Sequence, residues 1–89
     1  MIEAKLKNKI TNEETLSPQE VFDLIYYELA NDRELIEDTP EKQTFYGIYL
    51  IDNCFYRITY FVTKEDGDMS IEEQKPVKVK PISKWEVIS

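Results

Sequence analysis

The 89-residue chain has no histidine. That removes the commonest general base near neutral pH and most zinc and iron sites. Triads of the Ser-His-Asp or Cys-His kind cannot be assembled. Cys54 is the single cysteine, so no internal disulfide forms, which fits a reducing compartment. There are two glycines, Gly47 and Gly67, twenty positions apart, so neither a phosphate-cradling loop nor a dinucleotide fingerprint can be built. No apolar run reaches the ~18 residues of a membrane helix. The opening MIEAKLKNK lacks the apolar centre of a signal peptide. The expectation is one domain over residues 1–89, cytoplasmic. A bacterial or phage source fits the abundance of Lys, Glu, Ile and Tyr beside scarce Gly and His.

Positive charge is also scarce where negative charge gathers. Residues 13–41 hold ten acids and one base, Arg33, for −9, while the rest of the chain is +2, giving −7 overall. Such a field repels phosphate backbones, so direct nucleic-acid binding is disfavoured. It speeds encounter with a basic partner. It also suits a solvated helix face that keeps a protein soluble.

What is present centres on Thr44 to Thr63, TFYGIYLIDNCFYRITYFVT. This stretch has four of the six tyrosines, three of the four phenylalanines and two formal charges, Asp52 and Arg57. Alternation splits it into two strands around Asp52-Asn53, residues that tolerate the positive φ of a two-residue hairpin turn. That register puts Ile51 with Cys54, Tyr49 with Tyr56, Gly47 with Ile58 and Phe45 with Tyr60 on one face. This is the expected core face. The other face carries Leu50 with Phe55, Ile48 with Arg57, Tyr46 with Thr59 and Thr44 with Phe61.

Upstream, Ile2, Ala4, Leu6 and Ile10 alternate with polar residues and predict a first strand. Its Lys5, Lys7 and Lys9 would lie on the outer face of an edge. Leu16-Ser17-Pro18-Gln19-Glu20 predicts a helix start. Ser17 is the N-cap, Pro18 the first helical residue, Glu20 the returning half of a capping box, and Leu16 a hydrophobic staple on Val21. Val21, Phe22, Ile25, Tyr26 and Leu29 then form an inward stripe with Leu24 at its margin, while Asp23, Tyr27 and Ala30 point away. The helix is expected over about 18–30, with a break at Asn31-Asp32 and a short extra turn to about 37. Thr39-Pro40 ends it.

After the hairpin, Lys64 to Asp68 predicts a turn with Gly67 at positive φ. A weak strand follows over Met69 to Lys75. Val77 and Val79 alternate with Lys78 and Lys80 between Pro76 and Pro81, which confine this segment to an edge or a bend. Ile82, Trp85 and Val87 predict a last strand near Lys84 to Ile88. The expected fold is α+β. One main helix packs on a curled antiparallel sheet of four to five strands, in the order β-α-β-β-β-β. That order resembles cystatin-like sheets wrapped on a single helix. The likeness is one of element order, with no inhibitory loop, and no function comes with it.

The remaining chemistry is thin. Cys54 lies on the core face with no lysine or arginine beside it to lower its pKa, so it reads as a small buried hydrophobe. Asp66-Gly67-Asp68 fails as a calcium loop, because Gly67 at the sixth position puts Val62 at the first ligand position. No cofactor and no metal are expected, and no enzyme activity. The candidate contact residues are Tyr46, Ile48, Leu50, Phe55 and Phe61 on the second hairpin face, with Asp23, Tyr27, Glu34, Glu37 and Asp38 from the acidic segment. The same second face could instead be covered by the C-terminal strands with Trp85. The functional expectation is a small acidic, non-catalytic module that binds a basic protein, and in its specific form an inhibitor or DNA mimic. The alternative is a homo-oligomeric structural or assembly subunit, a homodimer pairing through the sheet.

Overall fold

A computed structural model describes residues 2–81 and 85–88. The expectations for Ile82 and Lys84 lie outside the described residues. The fold is α+β, with two helices on one antiparallel sheet. The helices are α1 (Ala4–Thr11) and α2 (Pro18–Tyr27). The strands are β1 (Asp32–Asp38), β2 (Lys42–Ile51), β3 (Cys54–Thr63), β4 (Met69–Ser70), β5 (Val77–Pro81) and β6 (Trp85–Val87). The sheet runs β1-β2-β3-β5-β6, with β4 pairing a second stretch of β3. No helix among the described residues is long and apolar enough to cross a membrane.

The central hairpin has the register read from its alternation. Tyr49 pairs with Tyr56, Gly47 with Ile58, Phe45 with Tyr60 and Leu50 with Phe55. Asp52 and Asn53 take φ of 52° and 64°, the left-handed pair that lets a two-residue turn follow the strand twist. Gly47 has a steric reason to be glycine. A Cβ there would sit 3.1 Å from a ring carbon of Tyr49 and 3.5 Å from one of Tyr60.

Two element assignments are corrected. Residues 4–11 are helical, not the first strand. Ile2, Leu6 and Ile10 recur every four residues, which fits a helix period as well as the alternation of a strand. Leu6 and Ile10 are buried in the core shared with the sheet. The helix closes with a Schellman pattern. Glu13 N–H donates to Ile10 O at 3.0 Å and Glu14 N–H to Lys9 O at 2.9 Å. The left-handed residue that this needs is Glu13, at φ 56°, not a glycine.

The second correction concerns residues 28–38. The helix stops at Tyr27, and Glu28 is extended at φ −122°, ψ 138°. Residues 32–38 form edge strand β1, not an extra turn, with an irregularity between Leu35 and Glu37. The outer edge of β2 needs backbone partners along its length, and β1 supplies them. That demand is non-local and leaves no trace in the segment's own pattern. The order is therefore α-α-β-β-β-β-β-β, and the likeness to a one-helix cystatin order lapses.

The capping box that opens α2 forms as read. Ser17 Oγ accepts from Glu20 N–H at 3.2 Å, and Ser17 N–H donates to Glu20 Oε1 at 3.0 Å. The inward stripe is Val21 and Leu24, both fully buried, with Ile25 partly buried beside them on Tyr49, Ile51, Tyr56 and Ile58. Leu16 is fully buried in the same cluster. Phe22, Tyr26 and Leu29, expected inside, are exposed. At 3.6 residues per turn, Phe22 and Tyr26 fall beyond the arc that the first three residues fill. Leu29 lies past the helix end.

Candidate functional site

The second hairpin face is largely occupied. Trp85 on β6 packs on Phe55, ring centroids 4.8 Å apart, and its Nε1–H donates to Asp32 Oδ2 on β1 at 2.5 Å. β1 and β6 stand at opposite ends of the strand order. Outer strands of a flat five-stranded sheet would be about 19 Å apart, more than these two side chains can span. The sheet is therefore curled, with this face on the inside of the curl. The Trp85 bond, then the Arg33 N–H, hold the Asp32 carboxyl below its usual pKa.

Of the candidate contact residues on this face, Ile48 is fully buried. It is part of the interior and not a contact surface, which corrects its place among the candidates. Tyr46 lies under the Arg57 guanidinium at 4.1 Å and Phe61 under Lys42 Nζ at 4.3 Å. Phe55 is capped by Trp85, and Leu50 remains exposed. The C-terminal strands do cover part of the face, but as a continuation of the same sheet and not as a second layer.

The acidic candidates are elsewhere. Glu34, Glu37 and Asp38 lie on β1, where six of seven residues are exposed and Glu34 is half-buried. Asp38 pairs with Lys64. Asp23 and Tyr27 lie on α2. Asp23 accepts from Gln19 Nε2 at 2.9 Å, and the Tyr27 ring meets Tyr26 edge-on at 4.8 Å. The structure thus splits the candidates into a curled-in aromatic face and an outward acidic surface.

Between α1 and α2 runs an open cleft of about 490 Å³, lined by Ile2, Glu3, Lys5, Leu6, Glu20, Asp23 and Tyr27. Its volume falls in the range of ligand sites. Lys9 Nζ donates to Glu20 Oε1 at 2.8 Å, and this bond, then the Ser17 N–H, pull the Glu20 pKa down. The direction is opposite to that of a general acid, which needs a raised carboxyl. The Tyr49 hydroxyl is pushed up to about 12, by burial first and then by Tyr60. Tyr49 faces the core and not the cleft. Cys54 is partly buried against the core. Among the described residues no three Cys, Asp or Glu side chains gather as a metal site.

The lysines expected on an edge strand serve the helical layer. Lys7 pairs with Asp52 at 3.1 Å and Lys9 with Glu20. Tyr27, expected to point outward, is 55% exposed, but it is joined there by residues expected inside: Phe22 is 43% exposed, Tyr26 69% and, past the helix end, Leu29 95%. The signal was there, since Val-Phe-Asp-Leu-Ile-Tyr-Tyr is apolar over a wider arc than one core contact can use. No protein-family model, curated protein or solved structure matches the chain.

Proposed function

We propose that this protein is a small non-catalytic binding module that docks on a larger basic protein through the surface of residues 13–41. In its specific form it occupies a phosphate-binding groove, as an inhibitor or DNA mimic does. The supporting observation is that the −9 of this segment stays on the surface and stays largely uncompensated. Six of its ten carboxylate residues are exposed, and none is buried. Of these ten, only Glu20 and Asp38 belong to ion pairs among the described residues. Carboxylates left open to water keep a negative field that attracts a cationic surface over about one Debye length.

The other form, copies pairing through the second hairpin face, has less to build on. Ile48 is buried, and Phe55, Tyr46 and Phe61 already carry Trp85, Arg57 and Lys42. The test uses immobilised core histones as the basic probe. Binding is expected at about 50 mM salt and falls steeply toward about 200 mM, as charge-driven association does. The triple substitution Glu34→Gln, Glu37→Gln, Glu41→Gln weakens it. Absence of binding at the lower salt overturns the reading.

A further inference from the structure

We infer that the outward side of α2 is the apolar centre of this contact surface, and that it takes an amphipathic segment of the partner bearing lysines or arginines around an apolar stripe. The inference rests on the binding reading above and adds where the partner sits and what it presents.

The inward side of α2 is complete. Val21 and Leu24 are fully buried, and Ile25 joins them. A helix with one buried stripe normally shows water a polar face. Here the outward positions are Phe22, Tyr26 and Tyr27, with Gln19 and Asp23 between them, and Leu29 follows two residues past the helix end. The rings are already set against one another. Phe22 and Tyr26 stack at 6.0 Å, and Tyr26 meets Tyr27 edge-on at 4.8 Å. Rings held this way lose little rotamer freedom when covered. At roughly 200 Å² per full aromatic side chain, their exposed fractions leave on the order of 300 Å² open. That matches the largest patch on a typical monomer, which is often functional, and supplies the centre of an interface of about 800 Å² per partner.

Charge selects the occupant. Asp23 and Glu28 lie along the patch and β1 follows it directly. A second copy docked by a two-fold axis would set the same acidic surface, −9 on each copy, against itself. A basic partner reverses the sign. The α1–α2 cleft adjoins the patch, because Asp23 and Tyr27 belong to both. Ile2 offers apolar contact to the stem of a lysine or arginine, Glu3 and Asp23 outnumber the lone cation Lys5 as counter-charge to its head, and Tyr27 offers a ring.

The test is an isotope-labelled amide titration of the full chain with two synthetic peptides. Both are arginine-rich helices of about 20 residues, roughly 30 Å long. One carries three leucines on a single stripe, and in the other these are serines. The leucine peptide is expected to shift the amides of residues 19–29 and to bind at least about tenfold tighter, the order of one anchoring contact. Phe22→Ser with Tyr26→Ser should erase that difference while leaving the rest of the amide spectrum in place. Equal binding of the two peptides overturns the inference and leaves the acidic-surface reading standing. Binding of neither at about 50 mM salt overturns both. Dimerisation of the chain alone, with shifts confined to residues 19–29, makes a second copy the occupant and overturns the inference.

Discussion

Replacing Gln74 with alanine probes how β3 is held where no strand covers it. On its outer edge β3 pairs with β4 at Phe61 and Val62 and with β5 at Phe55 to Arg57. Thr59 falls between these two stretches. The Gln74 side chain fills the gap as a strand would. Its Oε1 accepts from Thr59 N–H at 2.7 Å, and its Nε2 donates to Thr59 O at 2.8 Å. Alanine removes these two bonds from a partly buried site, along with a longer, exposed one from Nε2 to Glu72 O at 3.2 Å, so the Thr59 pair sets the cost. At about 0.5–1.5 kcal/mol each, the loss is about 1–3 kcal/mol. In a domain of this size that lowers Tm by roughly 5–20 °C. The damage should be local, because the Gln74 backbone keeps its paired bonds to Leu16, at 2.7 and 3.1 Å, which hold the segment between β4 and β5 to the residue before the α2 cap. The assay is urea unfolding, with amide exchange at Thr59 as the local readout. Gln74→Met, similar in length without the amide, should lose as much as alanine. A change within about 0.5 kcal/mol, the scatter of surface substitutions, with unchanged Thr59 exchange, would refute the reasoning.

Ile10→Ala removes a fully buried side chain of α1 and should cost about 2–5 kcal/mol by denaturant unfolding. Ser17→Ala breaks the capping box and should cost about 1 kcal/mol in the same assay. Glu13→Gly relieves a left-handed non-glycine residue and should stabilise by up to about 1 kcal/mol, the αL relief less the entropy glycine adds to the unfolded chain. Tyr49 ionises near 10 when unfolded and near 12 when folded. Its raised folded pKa favours the protonated fold, so its contribution is whole below pH 10 and is lost as pH rises from there through about 12. An alkaline unfolding titration should therefore show stability falling across that window, and Tyr49→Phe should flatten part of the fall.

Local signals and long-range ones were legible to different degrees. The hairpin could be read because its pairing runs without a bulge from the turn outward and Asp52-Asn53 accept the turn geometry, so one register satisfies both. The start of α2 could be read because a cap, a proline and a returning glutamate sit within four residues. The first helix could not, because Ile2, Leu6 and Ile10 satisfy both periods and its terminator is a glutamate where a glycine would have announced the end. Strand β1 could not, because DRELIED pairs to complete the edge of β2 and buries almost nothing itself. The same non-local logic moved the candidate site. Trp85 reaches Asp32 across the curl and closes over aromatics that the sequence alone left open. Phe22 and Tyr26 were displaced outward because three residues, Val21, Leu24 and Ile25, already fill the space against the sheet.

Competition with DNA tests most directly whether the acidic surface stands in for phosphates. Labelled duplex DNA is bound to core histones at about 50 mM salt, and the full chain is added as competitor. The prediction is displacement of the DNA, weakened by raising salt and by Glu34→Gln, Glu37→Gln and Glu41→Gln together. DNA that stays bound at every concentration of the chain, or displacement untouched by neutralising those three carboxylates, would contradict it.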